Sequence, residues 1–516
     1  MPCCPGGAPD RLPCGCGPNW WGEHVTQPTH DLVVRGGRVV DPLSGVDRIT
    51  DVAVAKGRIS AIGDELRGTT TIDAAGCVVA PGFIDLHSHA QDIAGHRLAA
   101  LDGVTTALDL ESGVAPIETV YARAAMEGRP LHYGYSAPWA AARLQVLAGV
   151  PRDGTIGTML AHIGDPAWQR AASGTEVARI LELLEEDLAA GALGIGVIVG
   201  YAQVTDPSEY VAVARLAAER AVPTYTHARD LIETTSSVPV DGAEEVVRAA
   251  AETGAHMHYC HVNSTSFRQV DRVLDLVERV RVEGSVVTTE AYPYGAGMTG
   301  IGAEFLAPER LGARGMTPQS LMYAPTGERV ADEARLRELR AADPGGLVIV
   351  HMLDETKPAD VEVLMRSLLF SDACIASDAM PLTWQGTPDP LAWPLPPTAI
   401  THPRSAGTFG KAYRLLVTEQ QAIDIPEFVR RASCNPAAVV ADATKGAVRK
   451  GTLAVGADAD VVVFDPTEFR DQATYAASTR PTTGVRHLLV GGSAVVRDGA
   501  LDLDAKPGRP IRGAGG

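Results

Sequence analysis

The sequence predicts an α/β protein, a (β/α)8 barrel that carries a small β-sandwich built from both chain ends and an inserted lid. Three observations predict it. Short β-branched runs separated by Gly-rich turns open the regular part of the chain and return near its end. Between them, eight apolar strand runs alternate with longer helical stretches. One connection in that middle part is too long for an ordinary loop.

Residues 1–30 are expected to form a disordered or irregular tail. Residues 31–80 hold the runs DLVVRGGRVVDP, DVAVAKGRISAIG and TIDAAGCVVAPG. The same texture returns within 441–500, in GTLAVGADADVVVFDP and GVRHLLVGGSAVVRDG, so the two flanks are expected to share one sandwich. The barrel is assigned to 81–440. Its strands are GFIDLHSH, VTTALDLE, LHYGYS, ALGIGVIVG, VPTYTH, HMHYCHV, SVVTTEAY and CIASD, with helices such as TEVARILELLEEDLAAGA and SEYVAVARLAAERA among them. The lid is the insertion near 295–344, and LVIVHML adds a strand before the eighth barrel strand. The Gly/Pro-rich stretch at 501–516 is expected to be a mobile tail.

Composition limits the partners. The 516 residues carry 45 Lys+Arg against 63 Asp+Glu, a formal charge of −18. Such an acidic chain argues against nucleic acid or an anionic membrane as its partner. No run of eighteen apolar residues is present to span a bilayer. No basic segment followed by an apolar stretch marks a secretory leader, which points to a cytoplasmic protein. Cys77, Cys260, Cys374 and Cys434 sit among apolar neighbours as small core residues. The cluster of Cys3, Cys4, Cys14 and Cys16 lacks paired C-x-x-C spacing. A homo-oligomer is left open. Only six lysines occur, none between residues 57 and 356; a coding bias toward arginine accounts for that by itself.

The chemistry lies at strand ends, where barrel active sites are built. The first strand ends in His87 and His89, whose alternation points both imidazoles the same way. The fifth ends at His227, the sixth at His261 and the eighth at Asp378. Four imidazoles and a carboxylate suit a cation such as zinc, as one or two ions. The other histidines show no such coincidence. His256 and His258 are read as packing residues, and His351 is doubtful because it also ends a short strand.

PGFIDLHSHA, THARD, HVNS, SDAMP and GTLAVGADADVVVFD resemble the amidohydrolase superfamily over about residues 31–500. EAYPYGAG and THPRSAGTFGK are similar to its N-acyl-D-amino-acid deacylases, including the D-glutamate deacylase group. The resemblance implies a metal-dependent barrel with a small β-sandwich, and hydrolysis of a small-molecule amide to release a free D-amino acid. Many binuclear relatives bridge two metals with a carboxylated lysine on the fourth strand; here that strand reads ALGIGVIVGYAQ, and the lysine-free interval excludes that mode. The deacylases instead use a cysteine after the second strand. Ser112 stands in that place, with Glu111 beside it and Asp109 two residues earlier. Neutral Ser is a poor ligand, whereas Glu111 offers two oxygens and a charge, enough to bridge two cations or complete one site. The other reading keeps Glu111 behind a ligand histidine. Asp378 is the expected catalytic proton shuttle, taking a proton from the attacking water and delivering it to the leaving amine.

A substrate α-carboxylate is best gripped by a guanidinium supported by hydroxyls, which makes Arg229, Arg404, Tyr292 and Tyr294 candidates. Each also has a structural reading, Arg229 as a partner of Asp230 or Glu290. The deacylases place a lysine two residues after the sixth-strand histidine; Asn263 stands there, which leaves room for a differently seated acid or an uncharged amide. The alternative functions are a cyclic amide hydrolase, a heterocycle deaminase and, from another class, a non-catalytic scaffold on the same barrel. The intact His and Asp set weighs against the scaffold.

Overall fold

The computed structural model describes residues 30–235, 238–384, 389, 391–444 and 449–515, so the N-terminal tail and its four cysteines lie outside the described residues. The chain opens with β1 (His30–Asp41), β2 (Val46–Ala55), β3 (Arg58–Gly63), β4 (Gly68–Asp73) and β5 (Val78–Pro81). β1 carries the architecture of this part. Its first half pairs with β4 and its second half with β5, and a register shift between Val34 and Gly37 separates the two. A bulge of this kind lets one strand pass from one layer to another. Gly36 adopts φ +71°, and a side chain at Gly37 would strike Val79 Cγ2 at 2.5 Å. That close approach is why glycines occupy the corner.

Eight parallel strands follow: β6 (Phe83–Asp85), β7 (Val104–Asp109), β8 (His132–Tyr135), β9 (Ala137–Pro138), β10 (Ile195–Val197), β11 (Thr224–Thr226), β12 (Met257–Tyr259) and β13 (Val287–Ala291). β6, β7 and β8 form one parallel sheet, and β9 to β13 continue in a second. Near-complete burial of these strands explains their unbroken apolar text. Capped helices connect them. The helix Gly174–Ala189 starts in a capping box of Ser173 and Glu176, the reciprocal bonding that satisfies its first N–H groups.

The insertion near 295–344 and the strand that follows it form an antiparallel sheet of their own. It contains β14 (Ala296–Gly300), β15 (Leu321–Tyr323), β16 (Glu328–Arg329) and β17 (Leu347–His351). LVIVHML is therefore the centre of the lid sheet, paired with both β14 and β15. β18 (Cys374–Ile375) joins the parallel strands through β13. Its following loop meets the end of β6, where Ser88 bridges Ala379.

β19 (Val461–Phe464), β20 (Val485–Val490), β21 (Ser493–Arg497) and β22 (Ala500–Leu501) complete a nine-stranded sheet with β1–β5. The seam between the chain ends is β5 against β19, antiparallel from Val78–Phe464 to Pro81–Val461. Five of the eight phenylalanines gather beside it. Phe83 stacks on Phe409 at 5.2 Å between centroids and meets Phe428, Phe464 and Phe469 within 6.3 Å. The C-terminal stretch corrects the expectation of a mobile tail. Its Gly/Pro text packs because Ile511 is buried and donates to the Tyr133 carbonyl, and Gly508 and Gly513 donate to Arg129 and Gly191. No helix among the described residues is long and apolar enough to cross a membrane.

Phe83→Ala removes the ring that this aromatic group shares. The expected loss is about 3–5 kcal/mol of stability, read as a lower midpoint of chemical unfolding; an unchanged midpoint would show that the seam does not depend on it.

Candidate metal centre

The loops after five parallel strands bring the predicted residues together. His87 and His89 follow β6, Glu111 follows β7, His227 follows β11, His261 follows β12 and Asp378 follows β18. Asp85 fixes the first loop to the last, accepting bonds from Ser377 Oγ at 2.5 Å and Ser377 N at 2.9 Å. Burial pushes its carboxyl up to about 6 despite those donors. His89 N then donates to Ala379 O, which sets Asp378 beside the histidine pair. His261 and Asp378 both adopt positive φ, 29° and 51°. Such conformations cost on the order of 1–3 kcal/mol each in a non-glycine residue and persist where the surroundings enforce them.

His87 Nε2 lies 3.1 Å from His89 Nε2. Glu111 Oε2 is 3.2 and 3.5 Å from these two nitrogens, and Asp378 Oδ1 is 3.4 and 3.7 Å from them. Four ligand atoms at about 2.0 Å from a tetrahedral cation are spaced by about 3.3 Å. The spacings of His87, His89 and Asp378 are close to that edge length, so this triad fits a small divalent cation, with Glu111 beside it. The other oxygen of Glu111 faces a second pair, with His227 Nδ1 at 2.9 Å and His261 Nε2 at 2.7 Å. One buried carboxylate thus stands between two pairs of imidazoles.

The electrostatics follow from this crowding. Burial opposes charge on Glu111, but the nearby His87 charge and the bond to His227 hold it well below the usual carboxylate range. Burial likewise opposes charge on His87, and the carboxylates Glu111, Asp378 and Glu290 outweigh it and raise its pKa. His89 is raised to about 9, because Asp109 overcomes the cost of its burial. His227 is lowered by burial. A side chain at Gly200 would meet the His227 ring at 2.4 Å, so glycine there makes room for the imidazole.

Two carboxylates behind the ring nitrogens orient them. His87 Nδ1 donates to Glu290 Oε1 at 2.5 Å, and His89 Nδ1 donates to Asp109 Oδ1 at 3.0 Å. Each leaves Nε2 free to face a cation. Glu290 Oε2 also accepts from His258 Nε2 at 3.1 Å, and Thr288 Oγ1 lies 2.8 Å from His258 Nδ1. Glu290 and His258 escaped the sequence reading as members of this site. The available signal was their position on strands adjacent to the ligand loops, two residues before Tyr292 and three before His261.

The substrate candidates divide. Tyr292 lines the cavity above the cluster, and burial raises its hydroxyl to about 12. Arg404 Nη2 bonds Asp378 Oδ2 at 2.9 Å, its guanidinium lies 4.7 Å over the Tyr292 ring, and its buried Nε and Nη1 have no hydrogen-bond partner. Arg229 pairs with neither expected acid. It gives Nε and Nη2 to Glu245 at 2.7 and 2.8 Å and Nη1 to Gln203 O at 2.5 Å, so its donors are committed within the fold. Asn263 accepts from Tyr292 N at 3.3 Å and braces that turn. Tyr294 lies deeper, under the Lys411 ammonium at 3.8 Å. Ser112 reaches the cavity wall and bonds only the neighbouring Gly113 carbonyl. His351 ends a lid strand against Tyr475, apart from the ligand loops.

Comparison with known proteins gives concordant results. Residues 70–152 and 156–496 match the family described as "Amidohydrolase family". The N-acyl-D-glutamate deacylase of Alcaligenes xylosoxydans xylosoxydans is 28% identical over 511 residues, 93% of this chain and 96% of that protein. The D-aminoacylase of the same organism is 28% identical over 498 residues, 91% of this chain and 95% of that protein. The crystal structure of N-acyl-D-glutamate deacylase from Bordetella bronchiseptica, complexed with zinc and a phosphonate inhibitor, shares the fold. Its TM-score is 0.73 at 23% identity, covering 94% of this chain and 100% of that one.

Glu290→Gln keeps the shape behind His87 and removes the charge that holds its Nδ1 proton. Metal retention against a competing chelator should fall about 10- to 100-fold; retention equal to wild type would show that the imidazole is oriented by other groups.

Proposed function

The chain belongs to the amidohydrolase family, and from that membership we propose that it is a zinc-dependent N-acyl-D-amino-acid deacylase, a hydrolase of a non-peptide C–N amide bond. The observation that carries the reading is the Glu111 carboxylate, with one oxygen toward His87 and His89 and the other toward His227 and His261. In this reading His87, His89 and Asp378 would hold one ion and His227 and His261 a second, with Glu111 available to both. Zinc suits imidazole and carboxylate donors at the observed spacing. The full-length similarity to deacylases and the zinc in the similar crystal structure support the same choice.

When bound, zinc supplies Lewis acidity, polarising a carbonyl and acidifying water toward a pKa of about 7. The chain supplies the rest. Asp378 takes a proton from the attacking water and returns it to the amine nitrogen as the C–N bond breaks, giving a carboxylic acid and a free amine. Arg404 holds the other oxygen of Asp378 and keeps the acceptor aimed. Tyr292 lines the cavity and offers a hydroxyl to a substrate carboxylate, while the guanidinium of Arg404, buried against that ring, sets its charge behind it. Arg229 and Asn263 support this frame from behind.

The finer architecture goes with the function. β6, β7, β8 continued as β9, β10 to β13 and β18 make the eight strands of a (β/α)8 barrel over 81–440, with the two-ended sandwich at 31–80 and 441–500 and the lid from the insertion near 295–344. The substrate is a small-molecule amide, and the cytoplasm is the site of action.

Two measurements test the reading. Purified enzyme should release free amino acid from an N-acetyl-D-amino acid and not from its L enantiomer. Asp378→Asn should lower turnover about 10²- to 10⁴-fold, and near-normal turnover would remove Asp378 as the shuttle. Elemental analysis should find two metals in the wild type and one in Glu111→Gln. One metal in both would remove the bridge.

A further inference from the structure

Above the cluster of histidines and carboxylates lies a cavity whose far wall is apolar. Met159, Met298, Phe305, Met316, Met352 and Met380 line that wall, five thioethers and one aromatic ring. They come from separate segments: the helix Ile156–Ala161, β14, the turn at Glu304–Leu306, the loop after Gly315, the loop after β17 and the loop after Asp378. Methionine is unbranched and polarisable, so a wall built from it adapts to apolar groups of differing shape.

Among the described residues, the arginines that line the cavity are Arg229 and Arg314. Neither has its charge to spare. Arg229 is committed to Glu245 and Gln203. Arg314 is ion-paired with Asp230, and its guanidinium lies 4.5 Å from the Phe305 ring centroid. Both partners are close to nine-tenths buried. A substrate carboxylate entering this end would lose its water and find the nearest cation already neutralised, an unfavourable transfer. An apolar group would instead exchange water for thioether and aromatic surface.

We propose that this cavity selects a substrate with an uncharged apolar substituent, and that the Asp230–Arg314 pair is what refuses an acidic one. The inference rests on the deacylase reading and gives it a substrate class. It separates this chain from its N-acyl-D-glutamate deacylase relative. The same apolar chemistry can be offered by the amino-acid side chain or by the acyl chain. N-acetyl-D-leucine against N-acetyl-D-alanine, and N-octanoyl-D-alanine against N-acetyl-D-alanine, tell which one fills the pocket.

The test compares kcat/KM for N-acetyl-D-leucine and N-acetyl-D-glutamate. Wild-type enzyme should favour the leucine derivative by about 100-fold. Asp230→Asn frees the Arg314 guanidinium and should narrow the ratio at least about tenfold, mainly by a gain on the glutamate derivative. The double variant Asp230→Asn with Arg314→Met should lose that gain, with thermal melting showing both variants folded. Equal wild-type rates on the two substrates, or a gain that survives in the double variant, would overturn the proposal. Calorimetric binding of 4-methylpentanoate against glutarate to the metal-loaded enzyme gives a readout independent of deacylation. If no N-acyl-D-amino acid is cleaved, the deacylase reading fails, while tighter binding of 4-methylpentanoate still supports the apolar pocket and tighter binding of glutarate overturns it.

Discussion

Glu111 faces four imidazoles from a buried position, and much of the neighbouring structure answers to that placement. For His87, His89 and His261 to present Nε2 inward, the opposite ring nitrogen needs a partner outside the cluster. Glu290 serves His87, Asp109 serves His89 and Ser264 serves His261 at 3.0 Å. His227 turns its Nδ1 inward instead, and the ring fits because Gly200 has no side chain. Asp109 comes from β7, the strand beside β6, whereas Glu290 reaches His87 from β13 in the other parallel sheet and Ser264 lies three residues beyond His261 in the same segment.

The parts legible in the sequence were those set by short-range pattern. The four clustered histidines and Asp378 stood at strand ends, and the strand period of two made His87 and His89 share a direction. Glu111 was legible by contrast, because the cysteine and the lysine that relatives use were both missing. What sequence could not carry was pairing across long separations. Arg229 sits one residue from Asp230, yet its partner is Glu245 on the following helix, chosen by the way that helix packs. Glu290 serves a histidine 203 positions away. The C-terminal stretch has the composition of a loose tail, but Ile511 meets a pocket between strands that no local pattern announces.

The scarcity of lysine has a structural counterpart. Among the described residues, two lysines are buried ion-pair partners: Lys411, over the Tyr294 ring, with Glu355, and Lys450 with Asp460 beside the seam. Asp460 also accepts from His132 at 3.0 Å and from Gly491 N at 2.7 Å, so one carboxylate ties β8 to the nine-stranded sheet. Burial and these cations compete over its charge, and the cations hold its pKa far below the ordinary value. Several surface arginines, Arg248, Arg337 and Arg366 among them, pair with acids one turn away on the same helix, where each pair contributes only a few tenths of a kcal/mol.

The antiparallel seam of β5 with β19 also governs when the protein can assemble. The two strands are separated by some 380 residues of chain. At about 5–20 residues per second of synthesis, roughly 20–80 s pass between the emergence of one and the other. During that interval the edge of β5 lacks the strand that will cover it, with Val78, Val79 and Ala80 all destined for burial. An uncovered apolar edge is a site for unwanted pairing between nascent chains. The architecture that joins the two ends of the molecule thus hands a waiting period to translation, and expression yield should be sensitive to whatever shields that edge while the ribosome works.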